Sequence, residues 1–171
     1  MSSLQPLPRS FYERSTVDVA RDLLGMVLEH NGKQGKIVEV EAYPPGDPAA
    51  HSYRGLTSRT KVLFGPGGFS YVYLIYGIHE CLNVSCEKDG TPGCVLIRGL
   101  DFVSGPGRLT RAMGITREHY GLDLTSSPLR ILQGDPAKKI ITTPRIGISQ
   151  AADRPLRFLS AEPSRRKILI P

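Results

Sequence analysis

Two carboxylates and a phenol project from one side of a short stretch of this chain. In Gly35-Lys36-Ile37-Val38-Glu39-Val40-Glu41-Ala42-Tyr43, the small apolar residues Val38, Val40 and Ala42 alternate with Glu39, Glu41 and Tyr43. An extended backbone sends alternate side chains to opposite faces. Val38, Val40 and Ala42 therefore turn toward a core, and the acids and the tyrosine share the other face. Carboxylates at i and i+2 stand roughly 6.5–7 Å apart, close enough for their charges to repel. Because they project in the same direction from one strand, they cannot flank a scissile bond as a glycosidase pair does. One base acting on a water is the more natural chemistry, with a solvated strand face as the plain alternative.

A second group of residues is aromatic and polar. Tyr76 precedes Gly77 at a point where the chain must reverse, so its ring projects from the end of a hairpin. Either it folds back on apolar neighbours, or it is a wedge that enters a duplex and fills the gap left by an extruded base. Tyr43 and Tyr73 could stack on a flat group, although strand tyrosines are also ordinary core residues. His51 lies among small residues in Ala49-Ala50-His51-Ser52 and could donate a hydrogen bond to a ligand. Asn83 sits between Leu82 and Val84, where a buried amide needs partners. Arg54, Arg59, Lys61, Arg108 and Arg111 are cations in loops or at a helix start, the positions from which phosphates are held.

The three cysteines, Cys81, Cys86 and Cys94, are odd in number and lack C-x-x-C spacing. They read as reduced, buried thiols of a cytosolic protein. A zinc site joining His79 to Cys81 and Cys86 fails on parity, since the two cysteines face opposite ways on one strand. No metal and no cofactor are expected.

These residues need elements to position them. Residues 15–25 read as a helix capped by Ser15 or Thr16, with Val17, Ala20, Leu23 and Leu24 as its apolar stripe and Gly25 as its stop. Residues 26–30 and 35–43 are strands joined by Asn31-Gly32, a strong hairpin signal. The stretch 44–68, with four prolines and five glycines, reads as a long functional loop. Residues 69–75 and 81–86 form a second hairpin, and 94–100 another strand. Gly105-Pro106-Gly107 opens a short helix ending near Gly114. Short strands are expected at 129–132, 145–149 and 156–159. The expected architecture is a mixed α/β (α+β) single domain over residues 1–171, with a mainly antiparallel curved β-sheet, flanking helices and a protruding β-hairpin.

Composition narrows the classes further. The chain has 171 residues, 40% of them hydrophobic, and a formal net charge of +6; its pI is near 9.4 and its mean hydropathy −0.17. A chain of this length typically buries about 68–70% of its unfolded surface. No run approaches the ~18 apolar residues of a membrane span. The first eight residues carry no apolar leader core, so a cytoplasmic protein is expected, nucleoid-associated if bacterial. The basic balance fits a polyanionic partner.

Several strings occur in one order along the chain: Ile37-Val38-Glu39-Val40-Glu41-Ala42-Tyr43, Ala49-Ala50-His51-Ser52, Tyr71-Val72-Tyr73-Leu74-Ile75-Tyr76-Gly77, Cys81-Leu82-Asn83, Val95-Leu96-Ile97-Arg98, Gly105-Pro106-Gly107-Arg108-Leu109, Pro144-Arg145-Ile146-Gly147-Ile148 and Pro155-Leu156-Arg157-Phe158. Spread over about residues 10–160, the ordered set resembles the alkyladenine (3-methyladenine) DNA glycosylase family. That resemblance implies a monofunctional enzyme that flips alkylated or deaminated purines out of double-stranded DNA and hydrolyses the N-glycosidic bond, without a lyase step. It puts Glu41 in the place of the base that activates water, with the Arg98 side chain and the Ile146 carbonyl holding that water. It makes Tyr43, His51, Tyr73 and Asn83 the base pocket, with Asn83 crowding the 2-amino group of guanine. Tyr76 becomes the minor-groove wedge, flanked by Ile78 and His79, and the protein is expected to act as a monomer.

The sequence departs from the family pattern at Glu80, where relatives commonly carry a bulky aromatic, and at Leu156, which replaces a tryptophan. Arg165-Arg166-Lys167 forms a short basic tail. Two other readings compete with the glycosylase. A non-catalytic, basic nucleic-acid-binding module would bind with strong salt dependence and no need for Glu41, but leaves the acid pair and Asn83 unexplained. A helix-hairpin-helix excision enzyme would need a helical pattern that the sequence lacks.

Overall fold

A computed structural model describes residues 4–161. After a single turn, α1 (Arg9–Tyr12), the capped helix α2 (Thr16–Leu23) leads into the strand pair β1 (Val27–His30) and β2 (Lys33–Tyr43). The intervening Asn31 and Gly32 both take positive φ, 50° and 82°, the requirement of the tight hairpin turn that their types foretold. The loop that follows carries two short 3₁₀ turns, His51–Arg54 and Lys61–Phe64, and is pinned by the buried Leu63. The chain continues through β3 (Ser70–Ile75), β4 (His79–Cys86), β5 (Gly93–Leu100), β6 (Val103–Ser104), α3 (Pro106–Met113), β7 (Leu129–Leu132), β8 (Ile140–Thr143) and β9 (Arg157–Ser160).

All nine strands of the described residues join one antiparallel sheet, with the order β3-β4-β5-β2-β1-β7 and β9 also on β2. Strand β2 is its axis. Lys33–Lys36 pair with β1, Glu39–Glu41 with β9, and Ile37–Tyr43 with β5 on the other side. One strand serving two successive neighbours curls the sheet, giving the single α+β domain with few helices that the pattern predicted.

The two faces of the sheet are chemically distinct, and parity decides which residue goes where. Val40 and Ala42 of β2, Val72 of β3, Leu82 and Val84 of β4, and Val95 and Ile97 of β5 face the main core. There they meet Val19, Ala20 and Leu23 of α2 and Leu109 and Met113 of α3. Each such side chain contributes about 1.5–3 kcal/mol on full burial. Their odd and even counterparts, Tyr43, Tyr71, Cys81, Cys94 and Leu96, form a second cluster under the 44–68 loop. Cys81 and Cys86 thus fall in different clusters, on opposite faces, as strand parity requires.

Two expectations are corrected. Val38 is buried but stands outside the main core, which takes Ile37 instead. The register against β5 shifts on both sides of Glu39, and this bulge resets the alternation so that only Val40 and Ala42 share the core face. Residues 145–149 are not a strand; the strand is 140–143. Pro144 has no N–H to give a ladder, and Gly147 takes φ 74°. The polar groups of Arg145 and Ile146 bind side chains elsewhere, as described below.

Leu156, at the position of the missing tryptophan, packs partly buried against the core. The Arg165-Arg166-Lys167 tail lies outside the described residues.

Candidate active site

Four strands send their non-core side chains into one cavity of about 230 Å³. Glu41 and Tyr43 come from β2, Tyr71 and Tyr73 from β3, Asn83 from β4, and Cys94, Leu96 and Arg98 from β5. The register brings them level, since Glu41 pairs with Leu96, Tyr43 with Cys94, and Tyr71 with Asn83. Loops close the sides with His51 and Arg59 from one and Ile146 to Ile148 from the other. The volume is below the roughly 300–1,000 Å³ of sites for drug-sized ligands, and matches a small flat group between aromatic walls.

Glu41 is fully buried (0% exposed), and it sits in the wall of the cavity. One carboxylate oxygen accepts the Tyr43 hydroxyl at 2.9 Å, and the other accepts the Ile146 main-chain N–H at 2.7 Å. A carboxylate has about four lone-pair sites, of which these two bonds use two. Burial, followed by the charge of Glu41, holds the Tyr43 phenol far above its usual range, so it stays a proton donor. Ile146 therefore meets Glu41 through its N–H, a different atom from the carbonyl to which the resemblance assigns a role.

The other acid of the pair has a different task. Glu39 accepts from Arg98 Nε at 3.2 Å and from Arg157 Nε at 2.7 Å, and Arg98 Nη1 lies 3.8 Å from Glu41. The repulsion expected between the two acids is thus answered by a guanidinium that contacts both. Glu39 orients Arg98, and Arg98 presents positive charge to the carboxylate in the cavity.

His51 is held by its Nδ1, which lies 2.7 Å from the Tyr71 hydroxyl and 3.4 Å from Arg59 Nη2. A guanidinium only donates, so Nδ1 is an acceptor and the imidazole proton belongs on Nε2. Partial desolvation of a residue that stays over a third exposed, then the neighbouring Arg59, lowers the pKa of His51 to about 4. The neutral ring packs edge-on to Tyr73 with centroids 4.4 Å apart. A histidine depressed in the folded state binds its proton more readily when unfolded. Its share of stability is therefore present above about pH 6.5 and is lost as pH falls toward about 4. Thermal melts across this window should show a steeper acid loss for the wild type than for His51→Gln; parallel curves would contradict the assignment.

Asn83 is buried, donating Nδ2–H to the Tyr71 carbonyl at 3.3 Å and accepting from Cys94 Sγ at 3.8 Å. Burial pushes the Cys94 thiol up to about 12, so it remains a weak donor. Tyr76 stands at the tip of the β3–β4 hairpin with 89% of its surface exposed. Its φ is 53°, a left-handed conformation that costs a non-glycine residue roughly 1–2 kcal/mol. An aromatic ring kept in water on a strained backbone points to function rather than packing. Ile78 and His79 are exposed beside it, and a groove joins Tyr76 and His79 to Arg108 and Arg111 of α3.

Arg54 and Lys61 are exposed on the loop, and Arg59 lies 5.3 Å from the Tyr73 ring centroid, at the cavity rim. Glu80 pairs with Leu74 next to the hairpin tip, its side chain 21% exposed and its Oε1 3.9 Å from Arg117 Nε. Sequence reasoning passed over Tyr71, although it shares parity with Tyr73. It also passed over Asp47 and Arg145, a buried ion pair 98 residues apart with no local signature.

Comparison with known proteins agrees with this geometry. The model of the methylpurine-DNA glycosylase (MPG) family matches residues 10–104 and 100–164. A protein of Methanoculleus marisnigri (strain ATCC 35101 / DSM 1498 / JR1) is 48% identical over 179 residues, covering 89% of this chain and 93% of its own. One of Rhodopseudomonas palustris (strain HaA2) is 48% identical over 172 residues, covering 90% and 86%. One of Wolbachia sp. subsp. Brugia malayi (strain TRS) is 48% identical over 161 residues, covering 89% and 95%. All three carry the name "Putative 3-methyladenine DNA glycosylase". The protein is thus a DNA glycosylase, a hydrolase of DNA repair that acts on DNA. Specifically, the chain belongs to the methylpurine-DNA glycosylase family. Among the described residues, no helix is long and apolar enough to cross a membrane.

Proposed function

We propose that the protein is a monofunctional glycosylase that removes alkylated or deaminated purines, namely 3-methyladenine, 7-methylguanine and hypoxanthine, from double-stranded DNA. The observation that carries this reading is the Glu41 carboxylate, held by Tyr43 and Ile146 at the wall of a base-sized aromatic cavity and faced by Arg98. A purine turned out of the helix enters between Tyr43 and Tyr73, where positively charged alkylpurines gain about 0.5–2 kcal/mol from ring faces. The His51 Nε2–H offers one hydrogen bond to the base, and Asn83 takes up the space that a guanine 2-amino group needs. Glu41 then orients a water toward the sugar C1′ and takes its proton as the C–N bond breaks. The same carboxylate stabilises the oxocarbenium-like charge that develops on the sugar. Among the described residues no lysine lines the cavity, which supports an abasic-site product without strand cleavage.

Tyr76 fills the gap left in the stack, with Ile78 and His79 against the minor groove and Arg54, Arg59, Lys61 and Arg108 toward phosphates. The protein acts on the duplex as a monomer. Incubation with duplexes carrying hypoxanthine or 3-methyladenine, followed by alkali, is expected to yield cleaved strand. Intact strand for both lesions, from folded protein, would overturn the proposal. Tyr76→Ala should lower the affinity for lesion duplex, and the excision rate at sub-saturating enzyme, by the few kcal/mol that unstacking involves. Equal affinity and rate would remove the wedge role.

A further inference from the structure

We infer that Asp47 and Arg145 are positioning residues of the excision reaction: their ion pair aims Tyr43 and the Ile146 N–H at the Glu41 carboxylate. Both side chains are fully buried. Arg145 Nη1 bonds one oxygen of Asp47, and Nη2 bonds the other at 3.2 Å, the two-pronged geometry that only a guanidinium offers. The same fork reaches the Ala42 carbonyl at 3.0 Å and the Ala151 carbonyl at 3.3 Å. Asp47 in turn accepts the Ala49 N–H at 3.0 Å. One pair therefore ties together the end of β2, the loop that carries His51, and the loop that carries Ile146.

The contacts reach the reacting groups from two directions. The guanidinium carbon lies 4.8 Å from the centroid of the Tyr43 ring, whose hydroxyl is bonded to Glu41. Ile146 is the next residue along the chain, and its N–H is the other donor to Glu41. With Arg145 drawn inward, the peptide that follows it turns its N–H to the carboxylate. Gly147, at φ 74°, then leads the chain out again. Releasing the fork would free both donors together, and Glu41 would lose its fixed orientation.

The inference rests on the reading of Glu41 as the base. Its test is single-turnover excision of hypoxanthine at saturating enzyme, because that rate constant does not depend on the fraction of protein folded. The double variant Asp47→Leu/Arg145→Met removes both charges and strands neither. At saturating enzyme its rate constant is expected to fall on the order of 10²-fold, the effect of a misplacement near 1 Å. Adding Tyr43→Phe to that variant should cost less than it does in the wild type, since both changes release the same bond. Arg145→Lys keeps the charge but not the fork or the ring contact, and should slow excision in the same sense. If either folded variant keeps the wild-type rate constant and shows only a lower melting temperature or burst amplitude, the pair is structural and the inference fails. If Glu41→Gln itself excises at the wild-type rate, the underlying reading fails instead.

Discussion

Glu41→Gln is expected to bring excision down to the background of the assay while lesion binding persists. A positioned general base contributes about 10²–10⁴-fold, and an amide cannot take the proton of the attacking water. It also loses the negative charge that faces the developing oxocarbenium, so the upper end of that range is the expectation. The fold tolerates the change for a specific reason. The Gln oxygen can accept the Ile146 N–H in place of Oε2, and its NH₂ can donate to the Tyr43 oxygen, reversing a bond rather than breaking it. Anisotropy titration with a hypoxanthine duplex checks binding, and alkali cleavage after single-turnover incubation checks chemistry. A variant that still excises at the wild-type rate would leave the carboxylate without a chemical role.

The largest expected effect on stability is at Asp47, a second carboxylate whose side chain is fully enclosed. Asp47→Asn removes the charge in bidentate contact with Arg145, whose side chain is wholly enclosed. Arg154, with Nη1 3.9 Å from Asp47, is itself a cation and cannot replace the lost negative charge. Stranding one member of a buried pair costs about 3–5 kcal/mol. For a chain of this length each kcal/mol lowers Tm by roughly 2–4 °C, so a fall of about 6–20 °C is expected. The double replacement used above should fall far less, since no charge is left unpaired. A scanning-calorimetry Tm for Asp47→Asn equal to that of the wild type would mean that the pair does not hold the two loops.

How far the site could be read in advance depended on the range of the interaction that places each residue. The alternation along 38–43, 71–73, 81–83 and 94–98 needs only the two-residue repeat of an extended chain. For that reason Glu41 and Tyr43 could be assigned to one face before any strand was paired, whereas Asn83 and Arg98 joined them only through the family likeness. Turn chemistry is equally local, and it placed the exposed Tyr76 at a chain reversal and Asn31-Gly32 at another. The family likeness supplied roles, and these depended on the order of the strings rather than on any one of them.

What the local pattern could not contain was decided by contacts between distant segments. The bulge at Glu39 arises from pairing with β5, and it alone determines that Ile37 rather than Val38 enters the core. Residues 145–149 have the composition of a strand. Their side-chain and main-chain polar groups are nonetheless claimed by Asp47 and Glu41, so no ladder forms. By itself, then, the amino-acid order determined which side chains share a face and where the chain turns back, because both follow from neighbouring backbone geometry. The tertiary structure alone decided that Arg98 lies between two acids and that a salt bridge spanning 98 residues steadies the donors to Glu41. Such pairings are selected by burial and charge across the folded molecule, and nothing in the spacing of the residues encodes them.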